Sequence, residues 1–546
     1  MAVSTPKDSI IPADTVYLNG NIYTVDEQNK KASAMAITND RFIFVGSDEI
    51  AKDYIAAQTT IVDLKGQTVL PGLIDAHAHY SGVGNRKMKL DVFWKPKQEI
   101  LGTVREAVQS AEKGEWIEGR GWNQEIWDPP EFPTRQDLDD IALDHPVYLE
   151  RTDGHAAWVN SKALKIAGIT KETINPTGGE IIRDDAGVPT GVLVDTAKLP
   201  VFDKIPPFRE QKALQALEMA QEEFLSHGLT SVHDAGSDLQ TIGRVKRLYD
   251  SGRLCIRLYV FMRIPDGSTT LGEEFYAPGK QIGLYHNSLT IRGIKISIDG
   301  TLGSHGALML EGFADRSDGY LGLQRVTRQR LLAVVQRAHE AGFQMAIHAI
   351  GDAANRQALD VYEQVLKENP KPDHRHRIEH AQVVALEDIP RFKQLGVIPA
   401  MQAVHATSDK NMAEKRVGPQ RVKGAYAWRK FLATGAIIPN GTDAPVEMVN
   451  PFHVLFASVT RQGRDGEPAG GWYPAEKMTR AEALKSYTTW AAYAAFEENI
   501  KGSISVGKLA DFIVIDRDYM KCADSEIKDI RVLQTILGGK VAFSDK

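Results

Sequence analysis

Two histidines one residue apart, His77 and His79 in the run Asp75-Ala76-His77-Ala78-His79, follow the apolar stretch 68–74. On an extended strand, side chains two residues apart project to the same side, so the two imidazoles can grip one metal ion together. Further groups able to serve a cation stand at the ends of later strand-like runs: Lys295, His348, His380 and Asp443. A single histidine is more often a hydrogen-bonded structural residue. Six groups recurring at strand ends point instead to a metal centre. Cys255 and Cys522 are the only cysteines, so thiolates cannot supply the donor set. Asp299, four residues after Lys295, is placed to orient a ligand or substrate. His339 falls within a helical stretch, and His374 and His376 precede a strand on its far side; these read as structural.

Those groups need a scaffold that brings distant strand ends together. Eight buried-strand candidates span residues 72–79, 229–235, 255–263, 290–299, 343–349, 375–381, 397–402 and 437–443, several preceded by amphipathic helical stretches such as 329–341. Alternation of strand and helix fits either a (β/α)8 barrel or an open doubly wound sheet. Groups from strands one, four, five, six and eight must meet in one place, and a closed ring achieves this. We therefore expect an α/β fold, a TIM-like barrel over 71–500. Both ends are β-rich, so residues 1–70 and 501–546 are expected to build one small β-sandwich. Residues 80–228 are too many for a simple crossover and contain a hairpin signal over 179–195; they are expected to form a lobe over the barrel mouth. Trp94, Trp122, Trp127 and Trp158 concentrate there, as core or as walls of an apolar substrate pocket. Residues 405–426 read as a mobile, charged loop by the mouth, solvated or recruiting an anionic substrate.

The chain has 546 residues and a formal net charge of -6, which give no electrostatic reason to expect nucleic acid or an anionic membrane as partner. Small molecules are the expected partners. No stretch reaches the roughly 20 apolar residues of a spanning helix. Residues 1–13 lack a secretory h-region, and cysteine usage fits a reducing compartment, so the expectation is cytoplasmic.

Several motifs together resemble the amidohydrolase superfamily of metal-dependent hydrolases, and within it amidohydrolase family 3, the YtcJ-like and N-substituted formamide deformylase branch. They are Leu70-Pro71-Gly72-Leu73-Ile74-Asp75-Ala76-His77-Ala78-His79, Asp153-Gly154-His155-Ala156-Ala157-Trp158-Val159-Asn160-Ser161, Lys295-Ile296-Ser297-Ile298-Asp299-Gly300, Gly441-Thr442-Asp443-Ala444-Pro445 and Gly507-Lys508-Leu509-Ala510-Asp511. The resemblance implies that His77, His79 and Asp443 hold a first metal, that His348 and His380 hold a second, and that Lys295 bridges them as an N6-carboxylated lysine. An ammonium cannot ligate a cation, whereas a carbamate is an anionic oxygen donor. The implied donor set fits zinc best, one or two ions per chain, with manganese, iron or cobalt as alternatives. His155, Asn160, His233 and Asp234 could hydrogen-bond a substrate carbonyl or tie the lobe to the barrel.

The implied chemistry is hydrolysis of a non-peptide carbon–nitrogen bond, an amide or formamide, by a metal-activated hydroxide, with Asp443 moving the proton to the leaving nitrogen. A deaminase or cyclic-amide hydrolase would use the same centre. A binding or regulatory protein on the same fold would keep the barrel without turnover. A homodimer is implied by the resemblance alone.

Overall fold

The computed structural model describes residues 11–28, 30–265 and 272–545. Most of the stretch 1–13, read above for a targeting signal, lies outside the described residues. Seven parallel strands form the central sheet: β1 (Leu73–Ala78), β2 (Leu229–Ser237), β3 (Arg257–Arg263), β4 (Leu289–Ser297), β5 (Gln344–Ala349), β6 (Arg377–His380) and β7 (Ile398–Ala400). Each pairs in parallel with its sequence neighbour. The strands are buried along nearly their whole length, as parallel strands covered on both faces must be.

The expected eighth strand over 437–443 is not a regular strand. Pro439 has no N–H, so the segment cannot sustain a ladder. It nevertheless closes the ring. Ala76 N donates to Asn440 O (3.0 Å) and Asp443 N to His77 O (2.7 Å), while Met401 N donates to Pro439 O and Gly441 N to Met401 O (both 3.2 Å). Asp75 reinforces the seam, accepting from Thr442 Oγ1 (2.6 Å) and from the backbone N–H groups of His77 and Thr442 (both 3.1 Å). Gly441 is required there, because a Cβ would lie 2.5 Å from His77 N.

Helices pack on the outside through apolar stripes at helical spacing. Arg328–Glu340 buries Leu331, Val334, Val335 and Ala338, starts at the N-cap Thr327, whose hydroxyl accepts from Arg330 N, and ends before Gly342 at φ 75°. Asp352–Glu368 buries Ala354, Ala358, Leu359, Val361, Tyr362 and Val365. Each fully buried aliphatic side chain contributes about 1.5–3 kcal/mol, so these stripes fix the helices against the sheet.

Between β1 and β2 lies a six-stranded sheet, with Gly179–Arg183 and Pro189–Asp195 paired as the antiparallel hairpin the sequence signals. Its core holds Trp122 and Trp158, with Trp127 packed against them. Two further sheets join the chain ends: Phe512–Ile515 lies between Thr68–Pro71 and Val532–Leu537, and a four-stranded sheet containing Thr15–Leu18 and Ala34–Thr38 shares its core through Tyr17, Met35, Phe42 and Phe512. Asp511 binds Arg257 of β3 through two hydrogen bonds of 2.6 and 2.9 Å, both groups buried, and so ties this region to the barrel. No helix among the described residues is long and apolar enough to cross a membrane.

Candidate metal centre

His77, at the end of β1, is fully buried, and His79 follows it just past the strand. Their Nε2 atoms lie 3.4 and 3.2 Å from Oδ1 of Asp443. Asp443 has a left-handed backbone (φ 56°), uncommon for a residue with a Cβ, and is held in it by the bond from its N–H to His77 O. The other carboxylate oxygen faces a second pair: Oδ2 is 4.0 Å from His380 Nδ1 and 3.6 Å from His405 Nε2. His77, His79 and Asp443 form one group of ligand atoms lying within 4.8 Å of one another; His380, His405 and Asp443 form another.

Three of these atoms, His77 Nε2, His405 Nε2 and Asp443 Oδ1, are buried without a hydrogen-bond partner. Each such vacancy costs about 1–3 kcal/mol. A cation accepting their lone pairs removes that cost, so the residues present fit a divalent metal.

The surrounding groups fix the rings. Glu379 Oε2 accepts from His77 Nδ1, which leaves Nε2 as the lone-pair atom. Arg377, two residues earlier on the same face of β6, grips Glu379 through Nε–Oε1 (2.7 Å) and Nη2–Oε2 (2.9 Å), and also donates to Ala76 O and His233 Nδ1. Burial alone would raise the Glu379 carboxyl, but Arg377 and His77 hold it far below the carboxylate range. Burial and Lys295 push His77 down, yet the carboxylates of Glu379 and Asp443 carry it above the ordinary histidine value. His79, with less to offset its burial, falls to about 4 and stays neutral. Gln402 Oε1 accepts from His380 Nδ1 (2.7 Å), freeing His380 Nε2.

Lys295 and His348 also line the cavity, which has a volume of about 700 Å³. Burial lowers Lys295 to about 8 against the opposing pull of Glu379 and Asp443. His348 Nε2 faces Gly300 O at 3.3 Å, and its ring stacks on His155 with centroids 5.4 Å apart.

The structure sorts the remaining expectations. His155 reaches the cavity, with Nδ1 bonded to Asp195 Oδ1 at 2.6 Å and Nε2 as its second polar atom. Asp299 does not reach it. Strand β4 ends at Ser297, and Asp299 turns away to accept from the N–H groups of Leu308, Ile350 and Gly351 (2.8–3.1 Å), 3.5 Å behind His348. It does not line the cavity, and burial raises it to about 7. Asn160 caps the helix Ser161–Ala167 and bonds only within the lobe. Ties from lobe to barrel include Thr152 to Val446 O and Thr301 to Asp153. His233 is held by Arg377, and Asp234 accepts from Tyr80 N and Ser237 Oγ. Of the tryptophans, Trp94 lines the cavity with Leu199 and Phe202, giving it an apolar wall.

The segment 405–426 is not a loose charged loop. It contains the helices Ala403–Ser408 and Ala413–Arg421, and Arg416 is paired with Glu125 and Asp315. His405, Glu379 and Arg377 were not singled out by residue type alone. The available signal for the last two was the alternation of opposite charges, Arg377-Ile378-Glu379, on one face of a strand otherwise apolar.

The chain belongs to the amidohydrolase family, whose model matches residues 60–543. It is 36% identical to Protein LONG AFTER FAR-RED 3 of Arabidopsis thaliana, over 99% of this chain and 93% of that one. The putative amidohydrolase YtcJ of Bacillus subtilis is 30% identical (97% and 99% covered), and the N-substituted formamide deformylase of Arthrobacter pascens 27% identical (97% and 98%). An uncharacterized metal-dependent hydrolase from Pyrococcus horikoshii superposes with a TM-score of 0.74 at 28% identity, over 93% of this chain and 99% of that one.

Proposed function

We propose that the protein is a metal-dependent hydrolase of a non-peptide carbon–nitrogen bond in a small amide, formamides included. The observation that carries this is the convergence of His77, His79 and Asp443, with buried lone-pair atoms unpaired, at the floor of a partly apolar cavity. The name of the deformylase relative favours the amide class. A bound divalent cation, zinc by the preference of imidazole and carboxylate donors, supplies a Lewis acid that polarises a carbonyl and acidifies water.

The chain's own groups do the rest. Asp443, ionised at neutral pH with its pKa well below the usual value, accepts the proton of the attacking water and returns it to the nitrogen, so that an amine leaves. His155, its Nδ1–H held by Asp195, donates from Nε2 to the carbonyl oxygen when the ring carries a proton on both nitrogens. Glu379 keeps His77 in the ligating tautomer. Lys295 becomes an anionic donor if its amine, lowered to about 8, adds carbon dioxide as a carbamate. The apolar wall of Trp94, Leu199 and Phe202 suits an aryl or alkyl substituent. The matching division of the chain is a barrel over 71–500 carrying the lobe 80–228, with the terminal sheets as one sandwich.

The test is a screen of N-substituted formamides and acyl amides, read by release of amine or ammonia, before and after chelation. Activity lost on chelation and restored by zinc is expected. Activity that survives complete metal removal overturns the reading; tight ligand binding without product overturns catalysis.

A further inference from the structure

We propose that Asp409, Glu447 and Gln382 form an acceptor-lined end of the cavity that binds a cationic nitrogen group of the substrate, an ammonium or a guanidinium. This rests on the hydrolase reading and narrows its substrate class: an amide with an aryl or alkyl substituent on one side and a protonated base on the other. All three residues line the cavity. Asp409 follows the helix Ala403–Ser408, and its N–H donates to His405 O one turn earlier (2.8 Å). His405 Nε2 in turn is 3.6 Å from Asp443 Oδ2. One side chain therefore separates this end from the metal centre.

What stays open here accepts hydrogen bonds and gives none. Gln382 is only 5% exposed, and its Nε2 donates to Asp409 Oδ2 (2.8 Å) and to the Tyr426 hydroxyl (2.6 Å). Both amide hydrogens are thus used, and the atom left without a partner is Oε1, which can only accept. Tyr426 spends its hydroxyl proton on Asp409 Oδ2 (2.6 Å), which leaves Oδ1, and Ser408 Oγ spends its own on Glu447 Oε1, which leaves Oε2. Glu447 is 7% exposed. Other carboxylates of the cavity wall already have cations: Glu150 pairs with Arg120 and Lys198, Asp153 with Arg151, and Glu125 with Arg416. Among the described residues, neither Asp409 nor Glu447 is ion-paired with a lysine or arginine; Lys410 turns to Asp465 and Arg464 to Met448. Burial raises both carboxyls, and the Asp409 charge adds to the rise at Glu447. A group that brings one positive charge and several N–H donors satisfies Gln382 Oε1, Asp409 Oδ1 and Glu447 Oε2 together, whereas a carboxylate or an apolar group leaves all three unpaired. With a volume of about 700 Å³, the cavity has room for such a group at this end and for an apolar substituent on the wall of Trp94, Leu199 and Phe202.

The test uses the zinc-loaded protein and N-benzyl amides of straight-chain acids, each chain length made with a terminal ammonium, a terminal methyl and a terminal carboxylate. Dissociation constants are measured by isothermal titration calorimetry, and kcat/KM wherever amine is released. At the best chain length the ammonium member is expected to bind about 10–100-fold more tightly than the methyl member, and the carboxylate member more weakly than both. In Glu447→Gln the ammonium-to-methyl ratio should fall toward one with zinc content unchanged. If circular dichroism shows that this variant has not folded, Asp409→Asn is measured instead. A ratio near one at every chain length in wild type, or a ratio kept by the folded variant, overturns the cationic end and leaves the hydrolase reading intact. Loss of one zinc per chain in Glu447→Gln also overturns it, since the acceptors would then serve a metal. No binding or turnover of any member, with none in the formamide screen, overturns both.

Discussion

Glu379 of β6 and His77 of β1 meet inside the barrel, the carboxylate Oε2 accepting a hydrogen bond from Nδ1. Both side chains are almost completely buried, and the Arg377 guanidinium holds Glu379 from its other side. The pair therefore converts a buried Arg–Glu couple into a device that aims Nε2 of His77 at Asp443. In Glu379→Gln the amide can still accept from Nδ1 but carries no charge, and Arg377 loses its partner. Metal affinity is expected to fall about 10–100-fold, measured by competition with a chromophoric chelator. The unfolding midpoint should fall as well, since breaking a buried pair costs about 3–5 kcal/mol. Unchanged affinity would show that Glu379 is structural only.

Gly441 tests the seam that closes the barrel. A Cβ there would lie 2.5 Å from His77 N and 2.7 Å from both His77 O and Asp75 Oδ1, all on β1 or its side chains. Gly441→Ala is expected to destabilise by about 1–3 kcal/mol and to weaken metal binding, because it separates Asp443 from His77 and His79. Gly102, inside the helix Lys97–Ser110 with nothing within 4 Å of its Cβ position, is the control. Gly102→Ala should stabilise by up to about 1 kcal/mol. Equal effects at the two positions in chemical denaturation would refute the steric account.

The seven regular barrel strands were legible from the sequence because buried parallel strands are short apolar runs between turn signals, and the structure shifts their ends by a few residues at most. The eighth was legible as an element but not as an irregular one: it joins β7 through a single bridge at Asn440, flanked by Pro439, which has no N–H to give. Ligand candidates at strand ends could be read from period-two spacing. His405 could not, since it lies one turn into a helix after β7, where strand periodicity says nothing about direction. Asp299 turns behind His348 because β4 ends two residues before it, which strand spacing does not reveal. Glu379 was hidden by its neighbour His380, which took the attention as a ligand while the buried charge pair beside it oriented another.

At the opposite end of the barrel, three histidines form a network whose protons are all assigned by its partners. His339 Nε2 donates to Asn369 O (2.8 Å), so its Nδ1 accepts from His376 Nε2 (2.8 Å), and His376 Nδ1 in turn accepts from Met345 N (3.1 Å). His374 Nδ1 accepts from His376 N. Burial first, then the neighbouring His374 and His339, put His376 well below the ordinary histidine value. A depressed folded pKa means that the unfolded chain binds the proton first. The contribution of His376 to stability is thus complete above about pH 6.5 and is lost as pH falls, at about 1.4 kcal/mol per pH unit for this one site. Urea unfolding of wild type should weaken between pH 7.5 and 5.5 more steeply than that of His376→Gln. Equal pH slopes would remove the network from the account of acid sensitivity.

Asp195 bears on catalysis through His155 and not through metal. Its Oδ1 holds Nδ1 of His155 at 2.6 Å, and Arg325 Nη1 lies 3.3 Å from the same oxygen, so the carboxylate is itself fixed. This arrangement fixes the ring through Nδ1 and directs Nε2 toward the cavity beside His348, where it can donate once both nitrogens carry protons. Loss of one donor to a developing oxyanion costs about 10²–10³ in kcat. Asp195→Asn is expected to fall in that range with metal content unchanged and KM little altered, because the defect appears only as charge builds on the substrate. His155→Gln should match it, and the double variant should be no worse than either single one, since both remove the same interaction. Additive losses in the double variant, or loss of metal in Asp195→Asn, would place the residue in the architecture of the centre and leave the carbonyl oxygen without this donor.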